Sequence, residues 1–169
     1  MPIETVEFKG QLYPKFQTEG FAARFAFPFA SEVCKGVGVD VGCNRIEWSL
    51  PGSIPVDPAI DDRFHATNFP QKELDYVFSS HCLEHVPNWT EALDYWIDSL
   101  KFGGVLFLYL PDYSQKYWRP WNNRKHIHSF RPEMIRDFLE DHPNIRNLFV
   151  SGVDAYNSFT CFAQKCPDR

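Results

Sequence analysis

No stretch of the 169-residue sequence approaches the roughly 18 uninterrupted apolar residues of a membrane-spanning helix, so no membrane partner is expected. The segment 1–10 lacks the apolar core of a secretory signal and carries Glu4, Glu7 and Lys9 instead. The five cysteines are odd in number and contain no CxxC pair, which disfavours a disulfide scaffold and a cysteine-based zinc site. Together these features favour a cytoplasmic protein.

Basic residues are also few relative to acidic ones: the sequence has 17 Lys and Arg residues and 22 Asp and Glu residues, for a net charge of −5. This balance disfavours a dedicated nucleic-acid-binding protein, so nucleic acid is not an expected partner. A GxGxxG motif is missing after the first predicted strand, since Gly36 and Gly38 lie within that strand, and an NAD-dependent oxidoreductase is therefore a remote alternative. We expect a single domain over residues 1–169 that acts on a small molecule, and the sequence carries no indication of oligomeric state.

The chain is 44% apolar and 17% aromatic, which is typical of a compact core with an aromatic pocket. Short apolar runs predict strands, and apolar residues at helical spacing predict helices. We predict strands over 36–41, 53–57, 63–67, 74–79 and 105–110, helices over 20–30, 89–100 and 132–139, and a terminal hairpin over 147–153 and 158–164. This alternation predicts an α/β fold with a mostly parallel sheet covered on both faces and an antiparallel C-terminal hairpin.

Small and polar residues follow the predicted strands. In parallel sheets, ligands bind beyond the carboxyl ends of the strands, where the strand order reverses. Gly42 and Asn44 follow the first strand, and both tolerate the left-handed backbone of a tight turn. Asp57 follows the second strand, about 17 positions after Asp40, where a carboxylate can accept hydrogen bonds from both hydroxyls of a ribose. The sequence therefore predicts a nucleotide-like ligand at this edge.

Six segments in one order make the pattern specific. They are GVDVGCN, IPVDP, HATNFP, LDYVFSSHCLEHVPN, LKFGGVLFLYLPD and HIHSFRPEMIRDFLE, at residues 38–44, 54–58, 65–70, 74–88, 100–112 and 126–140. In these segments the sequence resembles the class I S-adenosylmethionine-dependent methyltransferases, and among them the small type 11-like methyltransferases. The resemblance implies a Rossmann-like three-layer sandwich with a seven-stranded sheet, S-adenosylmethionine as cofactor, and transfer of its methyl group to a small acceptor.

Matched position by position, the resemblance implies a set of cofactor-binding residues. The loop beneath the methionine moiety would consist of Asp40, Gly42, Cys43 and Asn44, and the ribose hydroxyls would be held by Asp57. The adenine would be flanked by His65 and Ala66, and the methionine end would be lined by Ser79, Ser80 and His81. The sequence departs from the family where Asn44 replaces a second glycine, where His65 replaces an acid, and where Pro51 and Gly52 shorten the helix after the loop.

The chemistry adds candidate catalytic and acceptor-binding residues. A hydroxyl or protonated-amine acceptor needs a base, and histidine suits this role near neutral pH, so the candidates are His81, His126 and His128. We predict that the loop over 111–128 forms the acceptor pocket. Its candidate residues are Tyr113, Tyr117, Trp118, Arg119, Trp121 and Arg124. The basic residues in and after this loop predict an anionic acceptor, such as a phosphorylated or nucleotide-linked sugar; they are Lys116, Arg119, Arg124, Lys125 and Arg131.

Several alternatives stay open. The chain could be a catalytically inactive cofactor-binding module of the same fold, and the aromatic loop and the histidines could be structural. His81 and His85 have the spacing of a metal pair, but no third ligand or HExxH pattern accompanies them, so no metal is predicted. The Asn/Asp-Pro-Pro-aromatic motif of enzymes that methylate exocyclic or amide nitrogens is missing after the fourth strand, which disfavours those acceptors.

Overall fold

The computed structural model describes residues 3–119, 121–122 and 126–167. Within these residues the strands are β1 (Thr5–Phe8), β2 (Gln11–Pro14), β3 (Gly38–Val41), β4 (Ile54–Val56), β5 (Leu74–Ser80), β6 (Leu100–Pro111), β7 (Ile145–Val150) and β8 (Ser158–Lys165). The helices are α1 (Lys15–Thr18), α2 (Ala23–Val33), α3 (Trp89–Ser99) and α4 (Pro132–Asp141). Two 3₁₀ turns, at Ile46–Trp48 and Leu83–His85, complete the regular structure.

The main sheet has the strand order β4-β3-β5-β6-β8-β7, and β1 and β2 form a separate hairpin. β3 pairs in parallel with β4 and β5, and β5 pairs in parallel with β6. β8 runs antiparallel to β6 and β7. The predicted parallel core with an antiparallel C-terminal hairpin is therefore confirmed.

The side chains of β5 alternate between two hydrophobic cores, one on each face of the main sheet. Val77 packs in the core that includes Trp96 and Ile97 of α3. Tyr76 and Phe78 pack in the opposite core, which includes alanines of α2. A strand buried on both faces reads as a continuous apolar run, which is why β5 and β6 are recognisable in the sequence. Helix, sheet and helix form the expected three layers.

Helix α2 differs from its predicted bounds. The positive φ of Gly20 (104°) keeps the helix from starting at residue 20, and the helix continues through Pro28 to Val33. Its small residues Ala26 and Ala30 are buried against the sheet, and this packing maintains the helix beyond the proline. None of the described helices has both the length and the apolar character needed to cross a bilayer.

Two details of the predicted sheet are wrong. The described residues form six strands in the main sheet and not seven. The missing strand is the one predicted over 63–67, where only an isolated bridge joins His65 and Asn68. This segment folds back on itself, because the side-chain amide of Asn68 donates to the carbonyl of Arg63 at 2.7 Å. The hairpin of β1 and β2 was not predicted at all.

The order of the strands decides where a ligand can bind. From β3 the chain continues into β4 on one side of it, and then crosses to β5 on the other side. The carboxyl ends of these three parallel strands therefore meet at one edge, with Gly42, Asp57 and His81 as the next residues of interest. A reversal of strand order at a sheet edge opens a crevice between the loops that follow the strands.

Candidate functional site

Asp57 holds the loop after β3 against the end of β4. Its Oδ2 accepts the backbone N–H of Asn44 at 2.8 Å, and its Oδ1 accepts the N–H of Ala59 at 2.8 Å. Asn44 adopts the left-handed conformation with φ of 62°, as its residue type permits. Each oxygen of an ionised carboxylate has two lone pairs, so each can accept one further hydrogen bond from a ligand.

Gly42 lets the loop after β3 pass close to the segment after β5. Its φ is +83°, and a Cβ at this position would overlap the Cβ and Sγ of Cys82. Its N–H donates to the carbonyl of Val56 at 2.9 Å, which keeps the turn beside β4. A glycine is therefore required here for both backbone conformation and space.

These loops open into a cavity of about 710 Å³, which we call the main cavity. Its lining comes from five parts of the chain: the segment around α1, the loop after β3, the loop after β4, the turn after β5, and the segment after β6. The lining residues are Gln17, Thr18, Glu19, Gly20 and Ala22; Gly42, Asn44 and Asp57; His81, Cys82 and His85; and Trp118 and His126. This volume falls within the roughly 300–1,000 Å³ range of small-molecule sites.

None of the lining residues from the N-terminal segment was predicted individually as a site residue. Gln17 is 2% exposed, and its Nε2 donates to Ser158 Oγ at 3.3 Å. Its Oε1 has no hydrogen-bond partner within the described ranges, although it is buried. An orphaned buried carbonyl oxygen in a cavity wall suits a ligand that donates a hydrogen bond.

At one end of the main cavity, three imidazoles surround the carboxylate of Glu84, which is fully buried. The Oε1 of Glu84 lies 3.9 Å from Nδ1 of His81, 3.9 Å from Nε2 of His85 and 3.8 Å from Nε2 of His126. Burial raises the pKa of Glu84 to about 8. Burial and the neighbouring imidazoles lower the pKa of His126 to about 3 and lower that of His81 well below its usual value. His81 and His126 are therefore neutral near pH 7.

Glu84 also fixes the position of His126. Its backbone carbonyl accepts the N–H groups of Ile127 and His128 at 3.0 and 3.1 Å. The ring of His126 lies edge-on to that of His85, with 4.5 Å between centroids. The His81-x-x-Glu84-His85 spacing was visible in the sequence, but the approach of His126 is a result of the tertiary fold.

Four other predicted cofactor residues, Asp40, Cys43, Ser79 and Ser80, lie outside the lining of the main cavity. Asp40 is 1% exposed, and its Oδ2 accepts the N–H of Leu50 at 2.7 Å. Burial raises the pKa of Asp40 to about 7 and that of the Cys43 thiol to about 12, so Cys43 stays a thiol. Ser79 is fully buried and donates to the carbonyl of Val41 at 2.9 Å. Ser80 is 8% exposed, and its hydroxyl has no partner among the residues described.

The residues predicted to flank an adenine lie outside the lining. Trp96 Nε1 donates to the carbonyl of Ala66 at 2.6 Å, and His65 Nδ1 accepts the N–H of Thr67 at 3.3 Å. His128 also lies outside the lining, where its Nε2 contacts the carbonyl of Val86 at 2.9 Å. Of the three predicted catalytic histidines, His81 and His126 therefore reach the main cavity and His128 does not.

The predicted acceptor loop divides between the cavity and the surface. Trp118 lines the main cavity, whereas Tyr117 packs beside it on Tyr13 with 5.5 Å between ring centroids. The guanidinium of Arg119 stacks over the ring of Tyr113 at 4.0 Å, and Trp121 is 71% exposed. Arg124 and Lys125, which belong to the predicted basic set, lie outside the described residues.

Comparison with known proteins identifies the fold. A family model described as a methyltransferase domain matches residues 20–142. A SAM-dependent methyltransferase from Thermotoga maritima has a TM-score of 0.67 at 19% identity, over 89% of this chain and 92% of that chain. One from Archaeoglobus fulgidus has a TM-score of 0.65 at 19% identity, over 89% and 96%. The N-methyltransferase NodS from Bradyrhizobium japonicum, solved with S-adenosyl-L-homocysteine, has a TM-score of 0.58 at 16% identity, over 91% and 89%. No curated protein matches the sequence.

Proposed function

Because the chain belongs to the methyltransferase-domain family and has the class I S-adenosylmethionine-dependent fold, we propose that it methylates a small, sugar-like acceptor with S-adenosylmethionine as donor. One observation carries this proposal. The carboxylate of Asp57 and the tight turn at Gly42 meet at the reversal point of the sheet and open on a cavity of about 710 Å³. This is the place and the chemistry that a ribose-containing cofactor needs.

The residues of the main cavity fit this cofactor. Asp57 keeps one free lone pair on each oxygen for the two ribose hydroxyls. The buried Oε1 of Gln17 is an acceptor suited to the ammonium group of the methionine part. When bound, S-adenosylmethionine supplies a methyl group attached to a cationic sulfonium. The ring of Trp118 in the lining offers an aromatic face, which attracts a cation by about 0.5–2 kcal/mol.

The histidine end of the main cavity suits a hydroxyl acceptor. His81 and His126 are neutral at pH 7, and a neutral imidazole has one nitrogen that accepts a hydrogen bond from a hydroxyl. Their lowered pKa values make both weak general bases, because an efficient base has a pKa near the working pH. We therefore assign them to holding the acceptor oxygen in line with the methyl group, where orientation supplies most of the acceleration.

An anionic group on the acceptor is proposed to bind beside Trp118. Arg119 is the next residue after Trp118, and both Arg119 and Arg131 place a guanidinium over the ring of Tyr113, at 4.0 and 4.5 Å. Arginine at such a site binds phosphate with two parallel hydrogen bonds. Charge reversal at Arg119 should therefore lower kcat/KM for a phosphorylated sugar and leave that for the neutral sugar unchanged. Equal kcat/KM values before and after reversal would refute an anionic acceptor.

Cofactor binding is tested first, by thermal unfolding with S-adenosylhomocysteine. At about 100 times its dissociation constant, this ligand should stabilise the fold by about 2.7 kcal/mol, and NAD should have no effect. Asp57→Asn should weaken binding by about 100-fold, since it removes the charge from two hydrogen bonds to the ribose. Asp61→Asn is the matched control, because Asp61 is paired with Arg63 outside the main cavity.

Methyl transfer is tested next with a labelled donor and a panel of neutral and phosphorylated sugars. Transfer to an oxygen of one of these acceptors would support the proposal. If the wild-type chain binds S-adenosylhomocysteine but methylates no acceptor in a broad panel, the proposed methyltransferase activity is wrong and the chain is an inactive cofactor-binding module. If S-adenosylhomocysteine fails to stabilise the chain, both possibilities are wrong.

A further inference from the structure

Glu84, at the histidine end of the main cavity, has side-chain oxygens that are buried without hydrogen bonds among the described residues. Its side chain is fully buried, and neither Oε1 nor Oε2 has a hydrogen-bond partner in the part of the chain that the structure describes. A buried carboxylate without hydrogen bonds costs several kcal/mol relative to water. Without a ligand, such a carboxyl group becomes protonated and neutral, whereas a bound cation stabilises its ionised form.

Two imidazoles complete a ligand set around this carboxylate. One ligand atom from each of Glu84, His85 and His126 can be chosen so that all three lie within 4.8 Å of one another. The Nε2 atoms of the two histidines lie 3.9 and 3.8 Å from Glu84 Oε1. Ligands at about 2.0–2.2 Å from a tetrahedral ion are about 3.4 Å apart, so small side-chain rotations bring these atoms to ligand distance.

We propose that Glu84, His85 and His126 bind a divalent transition-metal ion of the Zn²⁺ type. Two histidines and one glutamate form the ligand set of catalytic zinc sites, which leave a fourth position open. Imidazole nitrogens favour Zn²⁺ over Mg²⁺, which prefers oxygen ligands and water. His85 and His126 line the main cavity, and Glu84 lies behind them, so the open position faces the cavity.

The site also has the support that metal ligands need. The 3₁₀ turn at Leu83–His85 supplies Glu84 and His85 next to each other. The Glu84 carbonyl accepts the N–H groups of Ile127 and His128, which holds His126 opposite the turn. His81 Nδ1 lies 3.9 Å from Glu84 Oε1, too far for a hydrogen bond, and its Nε2 contacts Ser158 Oγ at 3.2 Å, so His81 packs beside the site without being one of its ligands.

The role of the ion rests on the proposed function. An acceptor hydroxyl bound at the open position loses its proton more readily, because the ion stabilises the alkoxide. The proton leaves to water, the oxygen–methyl bond forms as the methyl–sulfur bond breaks, and the electron pair of the broken bond stays on sulfur. With the ion bound, His126 would be its ligand, and the ion would hold and activate the acceptor oxygen in place of His126.

Metal binding is measured on the full chain after removal of bound metal with a chelator. Equilibrium dialysis against Zn²⁺, with metal analysis, should give one ion per chain. Glu84→Gln and His126→Ala should each weaken Zn²⁺ binding by more than about 100-fold, since loss of even an outer-shell partner costs about 10–100-fold. His142→Ala is the control and should bind as the wild type does, because His142 faces Asp94 at 3.4 Å outside the main cavity.

Two further measurements separate the outcomes. S-adenosylhomocysteine binding should persist in Glu84→Gln, which shows that a loss of Zn²⁺ affinity is not unfolding. Co²⁺ in place of Zn²⁺ should give visible ligand-field bands without a thiolate charge-transfer band. A thiolate band, unchanged Zn²⁺ affinity in Glu84→Gln, or no saturable site in the wild type would each overturn the metal site. Equal methylation rates in chelated and Zn²⁺-loaded protein would overturn only its catalytic role.

Discussion

Replacing Gly42 by alanine should destabilise the protein by about 2–5 kcal/mol, because two costs coincide at this residue. Its φ of +83° places a new side chain in the left-handed region, at a cost of about 1–2 kcal/mol. The new Cβ would also overlap the Cβ and Sγ of Cys82, and such overpacking costs about 1–3 kcal/mol. The turn must shift to relieve the overlap, and so the N–H of Asn44 must move relative to Asp57.

Gly52→Ala is the matched control for this experiment. Gly52 has a similar φ of +87°, but a Cβ there would have no atom within 4 Å, so only the backbone cost of about 1–2 kcal/mol remains. Urea unfolding measures both free energies. For a chain of this size, each kcal/mol shifts Tm by about 2–4 °C, so thermal unfolding gives an independent check.

The steric part of the destabilisation can be isolated by repeating Gly42→Ala in a Cys82→Gly background, which lacks the Cβ and Sγ atoms that the new Cβ would overlap. There the substitution should cost no more than Gly52→Ala does. S-adenosylhomocysteine affinity should fall in Gly42→Ala and stay unchanged in Gly52→Ala. Equal losses of stability in the two single variants, together with unchanged affinity, would refute the role of close approach at Gly42.

Two further substitutions test buried polar groups. Burial raises the pKa of Asp40 from 3.8 to about 7, so the folded state binds its proton more tightly than the unfolded state, and the resulting stability is lost as pH rises through about 7. Asp40→Asn removes this titration. Its free energy of unfolding relative to wild type should therefore rise by up to about 4 kcal/mol between about pH 4 and pH 8; a difference that does not vary with pH would contradict the assignment. Gln17→Leu removes an orphaned buried oxygen and also the hydrogen bond from Nε2 to Ser158 Oγ; these effects have opposite signs, so the stability of the free protein should change by less than about 1 kcal/mol. The same substitution should weaken S-adenosylhomocysteine binding about tenfold. Unchanged affinity in this variant would exclude contact between Gln17 and the ligand.

Elements with strong local patterns were predicted well. β6 contains the predicted apolar run over 105–110, although it begins at Leu100, and β5 has its apolar residues at 76–78. Helix α3 repeats its apolar residues at helical spacing. The first hairpin also carried a local signal, since Lys9 and Gly10 separate two short segments and both adopt positive φ values, as a two-residue hairpin turn requires. The flanking strands have only four residues each, the shortest length at which alternation of apolar and polar residues indicates a strand.

The prediction of a strand over 63–67 was wrong for a different reason. Its residues include Arg63 and His65, whose side chains do not supply the buried apolar surface that holds a strand in a sheet. A local hydrogen bond from Asn68 to the Arg63 carbonyl stabilises a turn there instead. Short polar segments are decided by such local competition, which composition does not reveal.

The sequence by itself determined most of the order of strands and helices from α2 to β8, the turn at Gly42 and the acid at Asp57, because each depends on residues that are neighbours along the chain. Only the tertiary structure decided which side chains share the main cavity. It brought Gln17 to the loops after the strands, left His128 outside, and placed His126 against Glu84. These contacts depend on how segments distant in sequence pack on the sheet, and that packing is set by the whole core.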